Sequence, residues 1–509
     1  MIVETHCHTS EHSSCSHVAA ADLVRRACEV GIETIVLTDH HYQWGEDELA
    51  DLHRRADLPV GCQILAGQEV ETRDFGHVLV YGAPATIPTK KTPLQQVREQ
   101  NPDAAIIWAH PYRDRRIPPP ERLRDPRIDA VEIFNANYTA LEAVRALKDW
   151  HRYGFTATAG TDTHGLSYVG AYPTVFDHRF HSLAQMAAEI KAGRCRPYFR
   201  ETPAAGGTSS TQITELTIGP EDAVTSKKII VKSFEDAEAW SEGERSYRLA
   251  EQLYAHGFDR GTYRVAKPLD EDPRSLLLVE ERVAGESLFD VLVQAKPAEA
   301  PHYLELAARW LSKLHNARLK LTPAEEFLRL EPDRLQYYLK SLIETRNRHL
   351  DRVREIKELV LEKETELIQS HPEILIQGHG DFHPRNIFVG RDAAGGSECV
   401  TAIDFGSSYQ LPRAFDIGTF LAQYVNMFLH EPQVQRNAPA AIFLQTYRRQ
   451  TRNLEEDFLA QVDLFKARTC LSILYYLAKI GLGESENFWR VLVEAERSLA
   501  AVAAGAALR

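Results

Sequence analysis

Through roughly its first two hundred residues the chain alternates short β-branched runs with helical stretches, and this alternation constrains the fold more than any other feature. The runs "ETIVLTDH", "HVLVYG", "AAIIWAHP", "AVEIFNA" and "FTATAGTDTH" are interleaved with segments such as "AAADLVRRACEVG" and "ALEAVRALKDWHRYG". Strand, helix and strand at this spacing predict βα units around a mostly parallel sheet or barrel. Each run ends at or near a His, Asp, Glu or Asn. The carboxyl ends of successive parallel strands converge on one face, where βα folds place their sites. The opening "MIVETHCHTSEHSSC" joins this set: as a strand it puts Glu4, His6 and His8 on one face, because side chains two apart point the same way.

Residues 201–212, "ETPAAGGTSSTQ", are small and carry no large apolar group, which is the composition of a linker. A chain of 509 residues exceeds one ordinary core, and this break divides it into domains at 1–200 and 213–509. Beyond it come a strand-rich piece ("SKKIIVKSF", "SLLLVEERV"), amphipathic helices, a loop-strand region at 376–405 and helices to the end. A formal net charge of -13 argues against a broad nucleic-acid surface and suits a small, anionic, metal-chelated substrate. The seven cysteines are scattered and form no CxxC pair, which argues against a disulfide framework and points to a reducing cytoplasm. The N-terminus has no signal-peptide pattern, and no apolar run reaches the roughly 18 residues of a membrane span, so the expectation is a soluble cytoplasmic protein without membrane contact.

The strand-end residues form a list with one chemistry: His6 and His8, His40 in "LTDHH", Glu69 in "AGQEVET", His77, His110 in "WAHPY", and Asp162 with His164 in "AGTDTHG". Imidazole and carboxylate ligands suit zinc, manganese or iron. A carboxylate such as Glu69 can bridge two ions, and closely spaced ions clamp both oxygens of a phosphoryl displacement. The order HxH, TDH, GxE-like, H, H, DxH resembles the PHP family (polymerase and histidinol phosphatase domains) over roughly residues 1–200. The resemblance implies a distorted (β/α)7 barrel, two or three divalent transition metals and phosphoesterase chemistry. It places metal ligands at His6, His8, His40, Glu69, His77, His110, Asp162 and His164. The Asp usual before HxH is Glu4 here, and the family's extra ligand after HxH falls at His12 or Cys15, a choice the residues leave open.

"GHGDFHPRN" followed by "AIDFGSS" is a second constellation. Phosphoryl transfer needs a carboxylate near the acceptor hydroxyl and oxygen ligands that hold magnesium on the nucleotide. Asp381 suits the first role, and Asn386 and Asp404 suit the second. The stretch resembles the aminoglycoside phosphotransferase and choline kinase family over about residues 213–509, which implies a bilobal, protein-kinase-like α+β fold. By that resemblance Lys232 in "IIVKSF" contacts the ATP phosphates and pairs with Glu244, or with Glu242. "LLLVEERVAGESL" resembles the adenine-receiving hinge, and Asp416 in "RAFDIGTFL" matches a residue that braces the catalytic loop. Residues 213–226 hold a single Gly and no GxGxxG, so the phosphate-covering hairpin departs from the kinase pattern. No activation-loop-to-APE segment follows "IDFG", which favours a small-molecule acceptor over a protein.

Together these features predict a bifunctional enzyme that joins metal-dependent phosphoester hydrolysis to ATP-dependent phosphorylation of a small-molecule hydroxyl, with ATP and magnesium in the second site. Two alternatives stand beside it: a nucleic-acid end-processing kinase and phosphatase, and a chain in which one domain is a non-catalytic sensor or scaffold for the other.

Overall fold

A computed structural model of the chain describes residues 1–59, 61–87, 91–204, 210–220, 226–391 and 396–507. These fall into two compact units, Met1–Ala237 with Leu269–Arg282, and Glu238–Pro268 with Val283–Arg509.

The first unit begins β1 (Ile2–Cys7), α1 (Ala20–Glu29), β2 (Thr34–Leu37), α2 (Glu46–Ala56), β3 (Gln63–Ala66), β4 (Gln68–Thr72), β5 (Gly76–Tyr81) and α3 (Leu94–Gln100). It continues β6 (Ala105–Trp108), α4 (Pro120–Leu123), β7 (Ala130–Asn135), α5 (Ala140–Tyr153), β8 (Ala157–Gly160), β9 (Thr174–Phe176), α6 (Leu183–Lys191) and β10 (Cys195–Pro197). Local chemistry sets the ends. α5 starts at a capping box in which the Glu142 N–H donates to the Thr139 hydroxyl (3.3 Å) while the Thr139 N–H donates to the Glu142 carboxylate (2.8 Å). It stops at Gly154, whose φ of 64° suits a residue without Cβ.

The strands form two five-stranded sheets, in the orders β10-β9-β1-β2-β3 and β4-β5-β6-β7-β8. β1–β3 and β6–β8 pair in parallel, as the βα alternation predicts, while β4, β5, β9 and β10 add antiparallel pairings. Alternate residues serve two cores. Val3, Val36, Leu79, Tyr81 and Ile107 pack together in one, and Val78, Val80, Ile106 and Trp108 pack with α5 in another. No closed sheet joins the two ladders among the described residues, so in place of the expected barrel the strands form two open sheets. Isolated bridges, Cys7 with Thr163 and His40 with Glu69, link the two ladders. The reason is local: His41 (φ 51°) and Asp162 (φ 49°) leave the extended region beside those bridges, and a ladder cannot continue through them. Gly160 allows β8 to approach β1, since a Cβ there would stand 2.4 Å from the His6 Cβ.

The chain then runs through β11 (Phe199–Pro203), β12 (Thr211–Ile218), β13 (Lys227–Phe234), α7 (Ala237–Leu253), β14 (Tyr263–Val265), β15 (Pro268–Asp272) and β16 (Leu277–Glu281). A third sheet has the order β11-β12-β13-β16-β15. Its residues Leu216, Ile218, Ile229, Val231, Leu277 and Val279 share the α5 core, and this sheet belongs to the first unit. Both ends of the expected linker at 201–212 are strand, because β11 pairs with β12 from Phe199–Ile218 to Pro203–Thr214. Small-residue composition was a poor guide where an adjacent strand supplies the partner. Residues 205–209 of that segment, and 221–225 of the region expected to cover phosphates, lie outside the described residues.

The second unit adds β17 (Glu286–Ser287), α8 (Leu288–Gln294), α9 (Ala300–Ala317), α10 (Glu326–Tyr337), α11 (Lys340–Glu344), α12 (Leu350–Ser370), β18 (Leu375–Gln377), β19 (Ile387–Arg391) and β20 (Glu398–Ala402). It ends β21 (Gln410–Pro412), α13 (Ala414–Met427), α14 (Pro432–Asn437), α15 (Ala441–Gln450), α16 (Phe458–Lys479) and α17 (Glu486–Ala507). Its core gathers Trp310, Phe382, Phe405 and Phe420 between these helices and the sheet β14-β20-β19-β17. No helix among the described residues is long and apolar enough to cross a membrane. Against the expectation that no disulfide framework forms, one cross-link is present: Cys28 and Cys62, 34 residues apart, form a disulfide with Cα atoms 6.2 Å apart. β2 and β3 pair side by side, and that pairing, invisible in cysteine spacing, brings the end of α1 to the start of β3.

Candidate functional site

Around the carboxyl ends of β1, β2, β6 and β8 and the amino ends of β4 and β5, five imidazoles surround one carboxylate. Glu69 Oε1 lies 2.7 Å from His77 Nδ1 and 3.1 Å from His110 Nε2, and Oε2 lies 3.0 Å from His40 Nδ1, 3.2 Å from His8 Nε2 and 3.6 Å from His6 Nε2. Asp162 Oδ1 closes the other side, 3.1 Å from His8 Nε2 and 3.5 Å from His6 Nε2. Four groups have donor atoms within 4.8 Å of one another: His6–Glu69–His110, His6–His8–Asp162, His40–Glu69–His77 and His8–Cys15–His40. His110 and Asp162 hold this geometry at φ 33° and 49°, and non-glycine residues in that region cost about 1–3 kcal/mol each and persist where surrounding structure holds them.

The electrostatics fit a cation. Burial opposes the charge on Glu69, yet the His6 charge and the hydrogen bonds of His110 and His77 hold its carboxyl well below the usual range. Burial opposes a proton on His8, but Asp162 and Glu69 draw one on and raise it to about 9. His40, burdened by burial, is lowered to about 4. Glu69 Oε2 is buried and makes no aligned hydrogen bond among the described residues, although His40 and His8 nitrogens stand 3.0 and 3.2 Å away. Short contacts without hydrogen-bond alignment are what ligand atoms around a shared cation show. Divalent cations bound in such a set displace its protons.

The structure distinguishes among the expected ligands. His6, His8, His40, Glu69, His77, His110 and Asp162 come together, and Cys15 joins His8 and His40. His12 instead stacks on Tyr42 at 3.6 Å and lies 3.7 Å from Glu48. His164 stands outside the four donor groups. Its Nδ1 donates to the Asp162 carbonyl at 2.9 Å, and its ring stacks on His8 at 4.9 Å. Glu4 accepts the N–H groups of Thr161 (2.9 Å) and Gly170 (3.3 Å), so it ties β1 to the segment after β8.

Sequence reasoning passed over Glu132, Asn137 and Arg113. Glu132 Oε1 accepts His6 Nδ1 at 2.9 Å, and Oε2 accepts the His110 N–H at 2.8 Å. Asn137 Nδ2 donates to Asp162 Oδ2 at 2.9 Å, and Arg113 Nη1 lies 3.6 Å from the same oxygen. The polar end of "AVEIFNAN" was the available signal for Glu132 and Asn137. Nothing local marked Arg113.

The second constellation sits between β18 and β21. Asn386 Nδ2 donates to the Asp381 carbonyl (3.0 Å) and carboxylate (3.3 Å), and the Ile403 N–H donates to the Asn386 carbonyl at 3.0 Å, which ties this loop to the segment bearing Asp404. Asp404 holds φ at 66°. Burial disfavours the Asp381 charge, but His383 (Nε2 3.4 Å away), His379 and the Asn386 amide outweigh it and keep the carboxyl below its ordinary range. Asp416 braces the loop as expected, accepting the N–H groups of His379 (2.8 Å) and Gly380 (2.7 Å) and His315 Nε2 (3.0 Å). Lys232 Nζ donates to Glu280 Oε1 at 2.9 Å, a partner sequence reasoning did not name. Glu244 lies 3.9 Å from Arg248 one helical turn on.

Residues 218–456 match the model of the phosphotransferase enzyme family, APH, and residues 143–195 match a PHP-associated model. The chain carries an APH-type phosphotransferase domain and a PHP-associated segment. Three solved structures resemble parts of it. An ethanolamine kinase from Plasmodium vivax is 14% identical, with 59% of this chain and 81% of that chain covered and a TM-score of 0.38. A spectinomycin phosphotransferase, solved with ADP and spectinomycin, is 12% identical over 59% of this chain and 92% of its own, with a TM-score of 0.38. A protein described as a metal-dependent phosphoesterase, from Bifidobacterium adolescentis, is 18% identical over 32% of this chain and 87% of its own, with a TM-score of 0.26. No curated protein sequence matches the chain. The phosphotransferase domain contains both the Asp381 loop and the Asp404 turn.

Proposed function

We propose that the chain is a bifunctional enzyme that hydrolyses a phosphoester at the histidine-carboxylate centre and phosphorylates a small-molecule hydroxyl in the phosphotransferase domain. One observation carries the first activity: five imidazoles lie within 3.6 Å of the Glu69 carboxylate, with Asp162 opposite. His6, His8, His40, Glu69, His77, His110 and Asp162 would hold two divalent transition metals, and Cys15 with His8 and His40 a third. Bound there, divalent cations supply Lewis-acid polarisation of a phosphoryl oxygen. Arg113, one-third exposed beside Asp162, offers a cation for the substrate phosphate, while Glu132 fixes the orientation of the His6 ring.

For the second activity, the family match over 218–456 is the support. Asp381 accepts the proton of the acceptor hydroxyl as that oxygen attacks the γ-phosphoryl of ATP. In this reading Asn386 and Asp404 would hold magnesium on the nucleotide phosphates. Separability tests the whole reading. Asp381→Asn is expected to abolish ATP-dependent phosphorylation and keep hydrolysis of p-nitrophenyl phosphate or its bis-ester. His6→Ala with His8→Ala is expected to do the reverse and to lower transition-metal content by elemental analysis. Metal-free wild-type protein after reconstitution, or joint loss of both activities in folded Asp381→Asn, would overturn it.

A further inference from the structure

We propose that the acceptor phosphorylated by this chain is a small hydroxylated anion, whose charged group is met by Arg334 and Arg468 while its hydroxyl faces Asp381. The inference rests on the phosphotransferase reading and names its substrate class.

Asp381 opens onto a cavity of about 210 Å³ within the second unit. That is smaller than the roughly 300–1,000 Å³ of pockets for drug-sized ligands, which suits a compact polar molecule. The wall away from Asp381 is cationic. Arg468 Nε and Nη2 donate to Glu331 at 2.8 and 3.1 Å, and Arg334 Nη1 donates to the same carboxylate at 2.9 Å. Arg468 is sandwiched against Phe415 and Tyr338, with its Cζ 5.0 and 5.6 Å from the ring centres. Its Nη1 has no acceptor among the described residues. Arg334 and Arg468 are the cationic side chains that line the cavity, while Glu331, the carboxylate they share, is fully buried behind them and is not among the lining residues.

A cationic acceptor finds no corresponding receptor. Both Glu331 oxygens are taken by arginine, the Phe415 and Tyr338 rings already hold a cation, and Asp381 is engaged with the reacting hydroxyl. The hydroxyls of Thr419 and Ser472 and the Gln423 amide line the remainder and suit hydroxyl groups. Guanidinium binds carboxylate and phosphate alike through paired donors, so hydroxy carboxylates and sugar phosphates are the two sources of this chemistry. In the transfer the acceptor oxygen forms a bond to the γ-phosphorus, the bond from that phosphorus to the β-phosphate oxygen breaks, ADP leaves, and the hydroxyl proton passes to Asp381.

The experiment uses the full chain with Mg-ATP. Calorimetric binding of Mg-ATP is measured first and reports on the phosphotransferase reading alone; a wild-type protein that binds none overturns that reading and this inference with it. Phosphoryl transfer and thermal stabilisation are then compared for glycerate, threonate and gluconate, for glycerol 3-phosphate and glucose 6-phosphate, and for glycerol, ethanolamine and choline. Transfer to one anionic set, with the neutral and cationic compounds poor, is the expected result, and which set responds separates carboxylate from phosphate. Arg334→Gln should raise the KM of the responding anion about tenfold or more, with a smaller change in kcat. Gln423→Glu, which puts a carboxylate into the cavity without removing an arginine, should do the same, with Mg-ATP affinity retained. Preferred turnover of choline, ethanolamine or glycerol, no response to any anion, or an unchanged anion KM in both variants would overturn the proposal.

Discussion

The Gly380 main-chain N–H donates to Asp416 Oδ1 at 2.7 Å, which fixes the backbone one residue before Asp381. Gly380 has φ 84°, and a Cβ there would lie 1.7 Å from the Ser407 carbonyl oxygen. Only glycine satisfies both the left-handed conformation and the close approach.

Gly380→Ala should therefore displace the loop and cut phosphoryl transfer by about a hundredfold or more, since misplacing a reacting group by about 1 Å is that costly. Asp416→Ala should cost about 3 kcal/mol or more of stability, because it leaves the His315 ring and the His379 and Gly380 N–H groups without their acceptor. Equilibrium denaturation and ATP-dependent transfer check both, and wild-type transfer rates in Gly380→Ala would refute the bracing role.

Glu132 holds the His6 ring through one oxygen and the His110 backbone through the other. Glu132→Gln keeps the volume but faces one donor with an amide. Metal affinity, measured by competition with a chromophoric chelator, should fall about 10–100-fold, the usual effect of removing an outer support of a metal ligand. Affinity equal to wild type would show that Glu132 only fills space.

Glu364 is fully buried, and neither carboxylate oxygen has a hydrogen-bond partner among the described residues. Burial, then the charge of Glu331, raise its folded-state pKa above 4.5, against the opposing pull of Arg468 and Arg334. The folded state thus keeps a proton that the unfolded chain loses. Its contribution is fully present below the unfolded value and is lost as pH rises through the folded one, at about 1.4 kcal/mol per pH unit. Glu364→Gln removes that slope, so the melting temperature of the variant relative to wild type should climb between pH 5 and pH 8. A constant difference across that range would show that Glu364 titrates normally.

Reducing the Cys28–Cys62 disulfide frees a loop of 34 residues, for which chain entropy predicts a loss of about 4 kcal/mol. A phosphine reductant should lower the unfolding midpoint of the wild type and leave Cys28→Ser unmoved. Identical wild-type transitions with and without reductant would exclude a stabilising cross-link.

Local sequence determined what local physics controls. The period-2 strands and the turns after them placed His6, His8, Glu69, His110 and Asp162 at strand ends, and imidazole and carboxylate side chains already implied a cation. Asp381, Asn386, Asp404 and Asp416 were legible for the same reason, since a short loop and its brace carry their own spacing. The tertiary structure decided everything that depends on which distant segments lie side by side. Cys15 and His12 are three residues apart, and only the packing of the loop after β1 brings Cys15 to His8 and His40 and leaves His12 on Tyr42. The two sheets stay open because His41 and Asp162 turn the backbone out of register. The pairing of β2 with β3 made a disulfide of two scattered cysteines, and the packing of α10 against α12 and α16 set Arg334, Arg468, Glu331 and Glu364 in one cluster. Periodicity reports the face a residue occupies. Contact between residues tens of positions apart is set by burial summed over whole sheets and helices, which no short stretch of sequence records.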